Sequence, residues 1–157
     1  MKISAVNEVV SLIANIGVIG SIVFLGLEMQ QNTEMMQSQT RNSIVENQLS
    51  FYERAIENND FTIVIAEMRL DPDSYPIGTP ESFQYALFMA SQQRTWENEF
   101  YQYQKGLFGP DEFKARTNLW RRSISFEANL RAWRQAEDSY APNFRNYLNE
   151  MIVEMSL

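Results

Sequence analysis

The sequence predicts an all-α fold: one long N-terminal helix, membrane-spanning in its first half, continuing into a bundle of about five further helices. Three observations predict it. Val9 to Leu27 (VVSLIANIGVIGSIVFLGL) carries no charge between Glu8 and Glu28. No Pro or Gly interrupts the chain from Leu27 to Asp60. From Ala86 to Leu107 the residues Ala86, Met89, Gln93, Trp96, Phe100, Tyr103 and Leu107 keep strict 3,4 spacing, as a helix-packing seam does. Strand-like alternation, internal repeats and low-complexity runs are absent from the sequence.

The apolar run comes first. At 1.5 Å per residue it spans about 28 Å, close to the hydrocarbon thickness of a bilayer. A cleaved signal peptide is the first rival. Its n-region would hold only Lys2, the run exceeds the usual apolar core of about 7–15 residues, and no A-x-A pattern follows Leu25. A buried core helix is the second rival. Gly17, Gly20 and Gly26 are poor residues for a soluble helix interior but common in membrane helices. The expected domains are therefore a transmembrane anchor at 1–29 and a helical bundle at 30–157.

After Glu28 the helical pattern persists while the residues turn polar. Val45, Leu49, Tyr52 and Ile56 share one face, so a single long helix is expected to leave the membrane and enter the bundle. Asn58-Asn59-Asp60 reads as its stop, with Asp60 capping a short helix through Phe61, Ile65 and Met68. Asp71 to Pro80 (DPDSYPIGTP) is a loop, because three prolines and a glycine discourage regular structure. Thr79-Pro80-Glu81 then reads as N-cap, first helical position and acidic first turn, and Gly106 as the end of that helix. Gly109-Pro110-Asp111-Glu112 opens the next helix, with Phe113, Thr117, Trp120 and Ile124 as its stripe and a break near Ser125. Phe126, Leu130, Trp133 and Tyr140 continue on a shifted face. Ala141-Pro142 restarts the last helix, with Phe144, Tyr147, Met151 and Met155 inward.

Composition bounds the chemistry. The 157 residues suit one ordinary domain, and at 45% hydrophobic and 21% charged the chain is no disordered tail. It contains no Cys and no His, which removes thiolate nucleophiles, imidazole acid–base catalysis and most zinc or haem ligation. No cofactor and no enzymatic activity are expected. The net charge is −7, and Lys114, Arg116, Arg121, Arg122, Arg131, Arg134 and Arg145 balance the acids after Pro110. An acidic chain is a poor general binder of nucleic acid, so none is expected as a partner.

Ile22-Val23-Phe24-Leu25 running into Gln30-Gln31-Asn32-Thr33 resembles the start of a bacterial family of small, uncharacterised membrane-anchored helical proteins. Trp96 with Tyr101-Gln102-Tyr103, Gly106-Leu107, Trp120, Trp133 and Tyr140-Ala141-Pro142-Asn143-Phe144 extend the likeness over most of the chain. Members often carry Arg or Lys just after the membrane helix, where this chain has Glu28 and Met29. The resemblance implies the fold and a bacterial inner-membrane location, and no activity.

Several constellations invite a functional reading. Glu97 and Glu99 flank Trp96 and Tyr101, but residues two apart face different sides of a helix. Glu99 is nearer the seam and is the candidate buried acid; the plainer reading gives it an Arg or Tyr partner inside the bundle. Glu53 and Glu57 share a face, but a di-iron bundle would need His. Asp71-x-Asp73 hints at calcium, yet Tyr75, Pro76 and Ser82 stand where a further oxygen ligand, the central Gly and the bidentate Glu belong, so turns closed by Asp are expected. Lys114, Arg116, Arg121, Arg122, Arg131 and Arg134 interleave with Phe113, Trp120 and Trp133; they would meet anionic lipid or an acidic partner, or else form solvated faces with Arg stems over the aromatics. Gly17, Gly20 and Ser21 form a small-residue patch suited to helix packing in a membrane.

The expected role is that of a single-pass, membrane-anchored interaction or accessory protein. Its partners would be membrane lipid, other membrane proteins or itself. A lipid- or amphiphile-binding module is the alternative, with a carboxylate-based enzyme behind it. Lys2 precedes the span and the first cation after it is Arg41, which places the helical domain outside the cytoplasm.

Overall fold

The computed structural model describes residues 2–156, with side chains from Val6 to Ser156; the Lys2 side chain invoked for orientation lies outside the described residues. Six α-helices follow in order: α1 (Lys2–Glu57), α2 (Asn59–Leu70), α3 (Pro80–Gln104), α4 (Pro110–Ile124), α5 (Glu127–Ala136) and α6 (Pro142–Met155). A 3-10 turn at Glu137–Ser139 precedes α6, and no strand occurs among the described residues. The expected helix-plus-bundle class is the one observed.

The chain divides into two compact units, Met1–Gln39 and Thr40–Leu157. The described residues of the first are all helix, and every described side chain in it is exposed. Two of its hydroxyls bond back along the helix. Ser21 donates its hydroxyl to the Gly17 carbonyl at 2.8 Å and Thr33 to that of Met29 at 2.9 Å. Such back-bonding to residue i−4 lets a hydroxyl sit on an apolar helix without a free donor.

The second unit is the bundle. α3 is its centre, touching α2, α4, α5 and α6. It starts as its sequence indicates: Thr79 Oγ1 accepts from the Ser82 amide at 3.2 Å, and Pro80 fills the first helical position. It ends at Gly106, whose φ of 71° is left-handed and closes the helix by donating to the Tyr103 carbonyl. Two apolar clusters form the core. The larger joins Trp96, Phe100, Phe113, Trp120, Trp133, Phe144 and Leu148 with Ile44 of α1. The smaller joins Phe61, Val64, Ile65, Met68, Tyr85, Met89 and Ala128.

Three expectations of facing or capping are corrected. On α1 the inward residues are Ile44, Gln48, Phe51 and Ala55, one position back from Val45, Leu49, Tyr52 and Ile56, which are exposed. The reason is specific: Phe51 stacks on Phe88 at 4.4 Å, and the inward face passes through polar Gln48, which masked it. The cap of α2 is Asn58, not Asp60: its side chain accepts from the Phe61 amide at 3.1 Å, and Asp60 lies in the first turn. On α6 the fully inward residues are Phe144, Leu148, Met151 and Ile152; Tyr147 is half-buried and Met155 exposed. A helix wedged between neighbours buries both i+3 and i+4 steps, so its stripe is broader than a two-position seam.

Candidate functional site

Three places could carry function: a buried carboxylate, the distributed cations and the uncovered apolar helix.

Glu99 lies at the C-terminal half of α3 and is fully buried, as is its neighbour Trp120. Arg116 of α4 grips both carboxylate oxygens. Its Nε lies 3.1 Å from each and its second terminal nitrogen 2.9 Å from Oε1. Trp120 donates its indole N–H to Oε2 at 3.1 Å, and Gln48 of α1 donates to Oε1 at 3.3 Å. The Arg116 side chain is only 14% exposed. Four N–H groups, two of them from the one guanidinium, converge on the two carboxylate oxygens and engage them within the chain. A pocket of about 30 Å³, lined by residues that include Gln48, Trp96 and Arg116, borders the group and has room for about one water. This station ties α1, α3 and α4 together. Glu97 takes a different role from its neighbour: it accepts from the Ala141 amide at 2.7 Å, at the start of α6, and pairs with Arg94 at 2.6 Å.

Two further polar stations lie in the core. Tyr85 donates to Asn129, whose amide in turn donates to the Ser123 carbonyl at 2.8 Å. Burial pushes the Tyr85 phenol up to about 12. Tyr140 donates to Gln93 at 2.9 Å and burial raises its phenol as well. The Gln93 Nε2 is buried with no partner among the described residues. Gln93 stood in the apolar seam of α3, an intruder that signals a buried polar contact. Nothing in the sequence singled out Asn129, Tyr85 or Gln48.

The six cations are not presented together. Arg116 is committed to Glu99. Arg121 pairs with Glu154 at 2.7 Å, Arg131 with Asp73 at 2.7 Å and Glu127 at 3.0 Å, and Arg134 with Glu137 at 3.5 Å. Asp73 also closes its own turn, its amide bonded to the Asp71 carboxylate at 3.0 Å, so the paired aspartates serve the loop. Lys114 and Arg122 are exposed and have no carboxylate partner among the described residues. Between α3 and α6 runs an open groove of about 900 Å³, with Arg94, Glu97, Lys105 and Asn143 on its walls. Arg94 is occupied there by Glu97 and the Ser139 carbonyl, and its guanidinium lies over the Tyr140 ring at 4.3 Å.

The third place is α1. From Val6 to Met36 its large apolar side chains stay exposed, and an 18-residue apolar window has none of its residues buried. A Cβ added at Gly17 or Gly20 would meet open space, so contacts within the chain do not explain these glycines. One helix is thus long and apolar enough to cross a membrane. No family model, curated protein or solved structure matches the chain.

Proposed function

We propose that this chain is a single-pass membrane protein whose helical bundle acts through protein contacts, as an interaction or accessory subunit and not as an enzyme. The observation that carries the reading is the uncovered apolar half of α1. A core helix would bury its apolar surface against the bundle, yet none of the 18-residue window is buried. Leaving such a surface in water costs roughly 25 cal/mol per Å², and a bilayer removes that cost. The bundle interior supports contact over ligand binding. Trp120, Trp133 and Leu148 are wholly enclosed, and Glu99 has its donors within the chain. Beside these enclosed residues, α1 keeps an exposed apolar stripe within the bundle unit.

The finer placement belongs to the same proposal: a bacterial inner membrane, as the family resemblance implies, with the bundle outside the cytoplasm. Lys2 stands before the apolar run and no cation follows it until Arg41.

Membrane fractionation tests the anchor. The full chain should resist carbonate extraction, and a truncation beginning at Gln39 should be soluble and helical by circular dichroism. A full-length chain that washes off the membrane, or is released with residues 1–29 removed, would refute it. A reporter fused at Leu157 that works only in the cytoplasm would reverse the topology. In-cell crosslinking with identification of partners tests the accessory role, which fails if only lipid or only the chain itself is captured.

A further inference from the structure

We propose that two copies of this chain pair in parallel along α1, through the stripe Val45, Leu49, Tyr52 and Ile56, with Asn42 facing Asn42. The parallel sense rests on the anchored reading, since two copies inserted alike point the same way; the pairing surface itself lies in the bundle unit.

The stripe is the face that the bundle leaves bare. Its four residues keep 45%, 53%, 47% and 79% of their surface open, while their neighbours Ile44, Gln48, Phe51 and Ala55 turn inward. At 3.6 residues per turn the two faces lie about 100° apart around the helix, so a second helix can lie beside the bundle without displacing it. The spacing of 4, 3 and 4 is that of alternate d and a positions in a coiled coil. An exposed apolar face alone does not name its occupant. Two features of this one name a second copy.

The first is Asn42. Counting back by three from Val45 puts this exposed Asn at an a position. A single Asn at such a position bonds to its twin across a parallel pair and fixes register, at some cost in stability. The second is charge. In the same register Arg41 falls at g and Glu46 at e of the next heptad, the two positions that meet between parallel helices. Arg41 is 68% exposed although it touches Glu112, and Glu46 is exposed. Self-pairing therefore brings Arg41 of each copy to Glu46 of the other, twice by symmetry. Before Asn42 the same register meets polar Ser38, Gln31 and Glu28, so the apolar seam is confined to the two heptads that run from Asn42 to Ile56. Two heptads are marginal alone, and shared anchorage in a bilayer supplies the effective concentration that a short seam needs.

The chain has no Cys, so one introduced Cys reports its own pairing without background. The full chain is oxidised in native membranes as the single variants Asn42→Cys, Leu49→Cys, Asn47→Cys and Arg54→Cys. Facing a positions lie within disulfide reach, whereas Asn47 and Arg54 sit on the far side of the helix from the stripe. The expected result is at least about tenfold more covalent dimer for Asn42→Cys and Leu49→Cys than for the other two. Adding Leu49→Glu to Asn42→Cys should abolish the dimer while leaving tryptophan emission and helicity unchanged, because Leu49 is exposed. Dimer at Leu49→Cys but not Asn42→Cys would mean an antiparallel pair and overturn the proposal. So would equal yields at all four positions, or an adduct only with another protein. Carbonate extraction of the same samples separates the two ideas. A chain that stays in the membrane but never crosslinks at Asn42→Cys refutes the pair and leaves the anchor standing; a chain that washes off refutes the anchor whatever the crosslinks show.

Discussion

Replacing Arg116 with Met is the sharpest test of the bundle's centre. The substitution keeps the stem and removes the guanidinium, leaving the Glu99 carboxylate with only Trp120 and Gln48 as donors. Two unit charges about 4 Å apart attract by about 4 kcal/mol at an effective dielectric of 20, and Glu99 has no solvent exposure to replace that attraction. A buried ion left without its partner costs about 3–5 kcal/mol, the loss expected for Arg116→Met. Glu99→Gln should cost less, about 1–3 kcal/mol, because the amide oxygen still accepts from Trp120 and Arg116 retains some solvent contact. The double variant should cost clearly less than the sum, since neither charge then lies buried alone. The assay is urea unfolding of the full chain in detergent micelles, followed by tryptophan emission. All three tryptophans lie in the bundle core, so the signal reports that unit only. Additivity of the two single costs to within about 0.5 kcal/mol would refute the coupling. An Arg116→Met loss below about 1 kcal/mol would refute the burial of the charge.

Trp96→Ala should cost about 3–5 kcal/mol in the same assay, because Trp96 is buried and stacks on Trp120 at 5.5 Å; a loss below about 1 kcal/mol would mean that this seam faces solvent. Tyr85 supplies an alkaline limit. Its folded-state pKa of about 12 lies above the ordinary 10.0, so the native state holds the proton more tightly. Its stabilisation is complete below pH 10 and is lost as pH rises towards 12, a loss of at most about 3 kcal/mol at about 1.4 kcal/mol per unit. Urea midpoints across pH 9 to 12 should fall less steeply in Tyr85→Phe; an unchanged slope would exclude Tyr85 as the titrating group. Gly106→Ala forces a left-handed residue to carry a Cβ and should cost about 1–2 kcal/mol, read as a lowered melting temperature.

Hydrophobic period and loop punctuation made most of the fold legible. Thr79-Pro80, Gly106 and Gly109-Pro110 mark helix ends through backbone geometry, which depends on local sequence, and those boundaries hold. The stripe Phe113, Thr117, Trp120, Ile124 is likewise buried as its spacing indicates. Facing was less legible where a polar residue turns inward. Nothing in the sequence marks Gln48 as inward, yet its amide reaches Glu99, 51 residues away. That single inward polar group rotates the inferred face of α1 by one residue. Glu99 itself was legible as a buried acid beside the α3 seam with an Arg or Tyr partner, but which residue pairs with it was not. Arg116 belonged by sequence to a run of cations, and only the packing of α4 on α3 separates it from the exposed Lys114 and Arg122.

The spacing of the buried polar stations favours one order of assembly. Arg116 lies 17 residues from Glu99, whereas Tyr140 lies 47 from Gln93, Asn129 44 from Tyr85 and Gln48 51 from Glu99. Loop closure costs about 0.6 kcal/mol more for each doubling of length, so the α3–α4 hairpin closes about 1 kcal/mol more cheaply than the link from α1. Closing that hairpin first gives the Glu99 carboxylate its counter-charge while water still reaches both groups. The later arrival of α1, α5 and α6 then encloses an ion pair that is already neutralised, and no step buries a lone charge.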